Sequence, residues 1–298
     1  MASPNFSNIL KTLSPDLVIY DFHPSWAQPI ASSYNISAVQ LMTSGAMIVS
    51  FCHHMIKHPG VEFPFPAIQL QEFHDKRFRH TIEKFSKASK EKQVTAVNND
   101  QPPPCNFELF NTFRELEGKY IDYQSVIGEK RVVPVGPLVQ GFVDDENEHS
   151  EIIQWLDNKG ESSTVFVSFG SEYFMSKEEI EEIAHGLELS NVNFIWVVSL
   201  FYGVSIVAIP MHLEQPLNAK LVEEFGVAVE VNRDINGRLN REEIAQVIRK
   251  VVVEKSGEDI RIKAKNFGEK IRMKGDEEID KAVEVLLQLC KDSKLLQN

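Results

Sequence analysis

The chain has 298 residues, 43% hydrophobic and 25% charged, with a formal net charge of −12. That is a globular composition, with length for about two domains, and it lacks the basic footprint that a phosphate backbone needs, which excludes nucleic acid as a partner. Cys52, Cys105 and Cys290 lie far apart, form neither a disulfide framework nor a metal-ligand spacing, and suit a reducing, cytoplasmic setting. The N-terminus has no basic region ahead of an apolar core, so no signal peptide is expected.

In chain order, Asp16 to Asp21 reads as a short buried strand ending in an acid. A helix follows through Trp26 to Tyr34, a strand over 36–41 and an apolar helix over 44–58. Pro59, Gly60, Pro64 and Pro66 mark a loop. The pattern predicts a charged helix over 72–95, a proline-rich break over 98–104, a strand over 107–110, a helix over 112–123 and a strand from Val132 into Pro137. Residues 140–150, with Asp144-Asp145-Glu146 and few apolar side chains, read as a linker. Beyond it the pattern is a helix over 152–158 and a strand over 164–169. Ser176 and Glu179 have the capping-box spacing and open a helix to about Ser190. Strands over 194–198 and 206–209, a helix over 216–225 and a strand over 227–231 follow. Helices over 241–253, 258–274 and 277–291 complete the chain. Strands alternating with helices in both halves predict an α/β protein with parallel sheets. The 18 residues from Phe194 to Met211 carry no charge, but their β-branched residues, Gly203 and Pro210 read as two buried strands rather than a membrane span.

Three places carry candidate chemistry. After the apolar run Ile206–Ile209 and Pro210 come Glu214 and Gln215, then Pro216 and a helical pattern. This puts an acid and an amide at the carboxyl end of a strand, where open α/β sheets bind ligands. A carboxylate that accepts, beside an amide that donates and accepts, suits sugar hydroxyls; the plainer alternative is an acid favouring a helix start. Ser168-Phe169-Gly170-Ser171 ends another strand with small residues, which let backbone amides approach an anion, or simply make a tight turn. No G-x-G-x-x-G is present. Asp21 ends the first strand and can hold an imidazole in one tautomer, or cap the next helix. The histidines have no partners at metal-ligand spacing; His53 and His54 read as surface or cleft-lining side chains.

These stretches together resemble the plant UDP-dependent glycosyltransferases of family 1. Gly203-Val204-Ser205 through Pro210 to Glu214-Gln215 is similar to the last third of their signature box, G-V-P-x-x-x-x-P-x-x-x-[DE]-Q, with Ser205 in place of the proline. Thr164 to Ser171 is similar to their pyrophosphate-contacting strand and loop, and Leu17 to Asp21 with Pro24-Ser25-Trp26-Ala27 to their N-terminal domain. Phe113-Arg114-Glu115-Leu116-Glu117 and Val133-Pro134-Val135-Gly136-Pro137 match structural landmarks. Phe166–Phe174 and Met211–Asn218 look most like the branch that adds sugars to existing glycosides.

The resemblance implies a GT-B fold of two Rossmann-like domains with parallel sheets, both incomplete. It divides the chain into an acceptor-binding domain (1–139), a linker (140–150), a UDP-sugar-binding domain (151–275) and a C-terminal helix (276–298) that packs back on the first domain. It implies inverting glucosyl transfer from UDP-glucose to a plant small molecule or its glycoside, with no metal or other cofactor. In its terms Glu214 and Gln215 hold the donor sugar, Ser171 faces the phosphates, and Asp21 orients a catalytic histidine. That histidine sits in a family loop with no match here, and His23 is not in the family's order. A second block is missing between Ser199 and Tyr202: a loop, a helix, a strand and most of the signature box, including the tryptophan that stacks on uracil. The strands flanking the gap are joined by too few residues for the dozen-residue crossover that parallel neighbours need. Two readings stand: a glycosyltransferase, or a binding or regulatory relative without catalysis.

Overall fold

The computed structural model describes residues 3–21, 24, 26–93, 105–136, 138, 151–160, 163–167, 175–195, 205–273 and 277–295. They form two compact units. Unit 1 comprises residues 1–63, 82–139 and 276–298; unit 2 comprises 64–81 and 140–275.

Unit 1 opens with α1 (Ser3–Leu13), for which the sequence reading assigned no element. The signal was present in Phe6 and Leu10, four apart and therefore on one helix face. Leu10 is buried with Ala31 and Ala38, and Phe6 meets Trp26 edge to face at 5.2 Å. Then come β1 (Leu17–Asp21), α2 (Ala27–Ser33), β2 (Ser37–Met42), α3 (Ala46–Lys57), α4 (Glu72–Gln93), β3 (Phe107–Phe110), α5 (Arg114–Ile127) and β4 (Arg131–Pro134). Residues 72–81 of α4 cluster with unit 2. The four strands pair in parallel in the order β1-β2-β3-β4. β1 is an edge of this sheet, so Ile19, expected inside, is 49% exposed.

Unit 2 contains α6 (Glu151–Asp157), β5 (Thr164–Phe166), α7 (Lys177–Ser190), β6 (Asn193–Ile195), β7 (Ile206–Ala208), α8 (Gln215–Glu224), β8 (Ala228–Glu230), α9 (Arg241–Val252) and α10 (Glu258–Met273). α11 (Glu277–Leu295) returns to unit 1, where Ala282, Val285, Leu286 and Leu289 pack over Val39, Leu109 and Val133 of the sheet. α7 starts with the reciprocal capping box of Ser176 and Glu179 expected from their spacing. It lies so close to α9 that a Cβ on Gly186 would come within 2.6 Å of Ile244. Around this helix pair a core of Ile183, Leu187, Ile244, Ile248 and Val251 gathers Val165 and Val207 from the strands.

The strands of unit 2 form two parallel pairs, β5 with β6 and β7 with β8. The flanking strands β6 and β7 are therefore each other's neighbours in neither pair, and the crossover requirement does not fall on the short link between them. Among the described residues no helix is long and apolar enough to cross a membrane. The linker 140–150, and residues 196–204 within the apolar stretch 194–211, lie outside the described residues.

Candidate functional site: the head of α8 and the carboxyl end of β1

Pro210 and Met211 are buried directly after β7, and the chain then turns through Leu213 with φ +51° into α8. Gln215 is the first residue of α8 and Pro216 the next, where a missing N–H costs nothing. Glu214 is the residue before the helix; its side chain caps no backbone N–H and is exposed. Gln215 is half-buried, and its Oε1 accepts the backbone N–H of Met211 at 2.9 Å. That bond fixes the amide, because a flipped amide would set NH₂ against N–H. The sequence reading had the amide donate and accept. In the structure its oxygen holds the protein's own chain and its two N–H groups are the ones left to offer. Glu214 and Gln215 thus place an acceptor next to a donor beyond the carboxyl end of a parallel strand, groups of the kind that bond hydroxyls.

Charged residues that the sequence reading did not single out support this corner. Glu230, the last residue of β8, is 3% exposed. Its Oε2 lies 2.7 Å from Lys220 Nζ of α8, and its Oε1 accepts from the amide of Gln71. Lys220 also bonds Glu223, whose other oxygen accepts the backbone N–H of Glu230 at 2.8 Å. Burial opposes the charge on Lys220, but Glu223 and Glu230 outweigh it and raise its pKa. Burial pushes Glu230 up while Lys220 draws it back. The two shifts point opposite ways for the pair, and the 2.7 Å separation decides for an ion pair that ties α8 to β8. The available signal was an acid at an inward position of an apolar strand, Ala228-Val229-Glu230.

Arg233 lies beyond β8 with its side chain 4% exposed. It donates to the carbonyls of Pro210 and Gly237 at 3.1 and 2.9 Å. His74, also buried, has an Nε2 with no hydrogen-bond partner among the described residues. Burial first, then the charges of Arg233, Arg77 and Lys220, lower its pKa to about 4, so the ring is neutral.

In unit 1, Asp21 stands exposed at the end of β1, in register with Leu41 of β2. The neighbouring Phe22, His23 and Ser25 lie outside the described residues, as does Ser171 with its loop 168–174. The turn after β2 is held by Glu117, buried in a kink of α5 at φ −129°. Its carboxylate accepts the backbone N–H groups of Ala46 and Met47 at 2.9 Å each, and the Thr112 hydroxyl. It thereby satisfies two of the orphan donors at the head of α3. His54 is buried in unit 1, its Nε2 against the Val61 carbonyl at 3.1 Å and Nδ1 against the Tyr123 hydroxyl at 2.7 Å. These bonds make it a packed core side chain rather than a cleft lining. Among the described residues no group of three or more His, Cys, Asp or Glu is placed to hold a metal ion.

Three curated relatives align with nearly the whole chain. UDP-glucosyltransferase 29 of Panax ginseng is 43% identical over 350 residues, covering 98% of this chain and 78% of that protein. A mogroside IIIx synthase of Siraitia grosvenorii is 42% identical (98% and 74%), and beta-D-glucosyl crocetin beta-1,6-glucosyltransferase of Gardenia jasminoides 39% (98% and 79%). The first alignment is longer than the chain, 350 against 298, so at least 52 positions of that relative face a gap. No family model matches the chain. Among solved structures, UGT2 of Phytolacca americana, complexed with UDP-2fluoro-glucose and pterostilbene, superposes with a TM-score of 0.77 at 21% identity, covering 97% of this chain and 80% of that one. Os79 of O. sativa, in complex with UDP and deoxynivalenol-3-glucoside, gives 0.74 at 19% (97% and 82%). At such identities these two bear on the fold alone, which is α/β with parallel sheets of the GT-B type. With more than 40% identity across almost its entire length, the chain belongs to the plant UDP-dependent glycosyltransferases of family 1.

Proposed function

We propose that this chain is built to move glucose from UDP-glucose, with inversion, onto a sugar hydroxyl of a plant glycoside. The acid–amide corner at the head of α8 carries the reading: Glu214 is free to accept, and Gln215 is fixed to donate. Relatives named for glucosylated acceptors support the acceptor class. The Gardenia enzyme is named for glucosyl crocetin, and a Bellis perennis relative, 39% identical, is a cyanidin-3-O-glucoside 2-O-glucuronosyltransferase. On this reading the donor site belongs to unit 2, where the resemblance assigns Ser171 to the phosphates; Asp21 in unit 1 is the family's orienting acid, and the histidine it would orient has no match in this sequence. The reaction needs no metal, since a base and a preorganised cleft suffice for the displacement. Cytoplasmic residence fits its separate, free cysteines.

A second reading has its own observation. At least 52 relative positions without a counterpart are enough to remove a strand, a helix and the loops between them, and the resemblance to the family implies that the missing block belongs to the nucleotide pocket. On that reading the chain binds acceptor or partner without transferring sugar. Calorimetry with UDP-glucose on the purified protein, followed by incubation with glucosylated flavonoids and terpenoids, separates the two. Binding together with a new disaccharide product supports transfer; acceptor binding without any donor heat supports the second reading. Any activity found should survive a chelator, and its loss would overturn the metal-free mechanism.

A further inference from the structure

The loop between β7 and α8 leads into the proposed donor-sugar pair: Glu214 is its last residue and Gln215 the first of α8. One buried side chain, that of Arg233, braces its start. From the guanidinium of Arg233, Nη2 donates to the Pro210 carbonyl at 3.1 Å and lies 2.9 Å from the Met211 sulfur, while Nη1 donates to the Gly237 carbonyl at 2.9 Å. Glu179, at the start of α7, faces Nη1 at 3.6 Å, and the Phe73 ring lies 5.9 Å from Cζ. The backbone of Arg233 is itself pinned, its N–H donating to Gln71 at 3.1 Å. The next link runs from Met211, whose N–H donates to Gln215 Oε1. The path from Arg233 to the Gln215 amide is therefore continuous, through two residues of main chain.

We propose that Arg233 is a positioning residue for the donor hexose. It touches no substrate, but it sets the place of Pro210–Met211 and so the direction in which Gln215 presents its N–H groups. The inference rests on the reading of Gln215 as a sugar contact. The planar fork explains why the position needs arginine. Its donors reach two carbonyls and a sulfur in fixed directions, whereas an ammonium is a point charge on a flexible stem.

The test uses R233K in the full chain, with R233Q as a second variant should R233K fail to fold. Two readouts are compared with thermal stability. The first is hydrogen exchange at the Met211 amide in free protein. The second is the ratio of UDP-glucose affinity to UDP affinity by calorimetry, which isolates the hexose. The expected result is faster exchange at Met211, unchanged exchange at Ile248 in the core, and a hexose ratio reduced about tenfold, the upper range for one neutral hydrogen bond. UDP affinity should stay within about twofold of the parent. Undiminished protection of Met211 overturns the inference alone, as does faster exchange with an unchanged hexose ratio. A parent protein that binds UDP and UDP-glucose equally overturns the donor reading and this inference with it.

Discussion

At the scale of single residues, the fixed amide of Gln215 makes a sharp expectation. Gln215→Ala removes a donor to the sugar and an acceptor for Met211, so UDP-glucose should bind about 3- to 10-fold more weakly while UDP binding barely changes. Competition calorimetry with the two ligands checks this; equal loss for both would make the pair structural. His74 makes a second expectation, on pH. Its folded pKa, about 4, lies below the ordinary 6.5. The unfolded chain therefore binds more protons between those values, and stability contributed by the neutral ring is present above pH 6.5 and lost as pH falls toward 4. His53, lowered by burial and only partly restored by Gln124, acts in the same direction. Urea midpoints between pH 4.5 and 7 should rise with pH, with a shallower slope in His74→Phe.

Among elements, the junction of α3 and α5 is the most demanding. Glu117 takes up three donors without help from solvent, being 2% exposed. Glu117→Gln sets an NH₂ among those donors and should cost about 1–3 kcal/mol. Gly45 lies against the same carboxylate, where a Cβ would come within 2.7 Å of both oxygens. Gly45→Ala should then cost about 1–3 kcal/mol by overpacking. The two changes share one contact, so the double variant should lose less than their sum. Chemical denaturation of the three proteins measures it, and strict additivity would separate the two sites.

For the whole molecule, the consequence lies in the positions without a counterpart. The β7–β8 pair leads into α8 and packs against it, but on the family resemblance the tryptophan that stacks on uracil is not matched in this sequence. An aromatic–base stack contributes about 1–3 kcal/mol in nucleic-acid complexes. The chain as written should therefore bind UDP weakly and transfer glucose slowly. Grafting the corresponding segment of the Panax relative between Ser199 and Tyr202 should raise UDP affinity at least about tenfold by calorimetry. Tight UDP binding by the ungrafted chain would show that other residues have taken over the nucleotide.

The sequence by itself determined the alternation of strands and helices, the capping box of Ser176 and Glu179, and the place of Glu214 and Gln215 at a strand's end before a helix. Each rests on periodicity or on bonds between residues three or four apart, which neighbouring letters encode. α1 is encoded in the same way, by the four-residue spacing of Phe6 and Leu10 on one helix face. Only the tertiary structure decided which way the Gln215 amide faces, because its partner is a backbone N–H across a turn with left-handed Leu213. The same holds for Arg233 and Glu230. Their partners Glu179 and Gln71 lie 54 and 159 positions away in the chain, and a buried charge is tolerable only once folding has brought such partners to it.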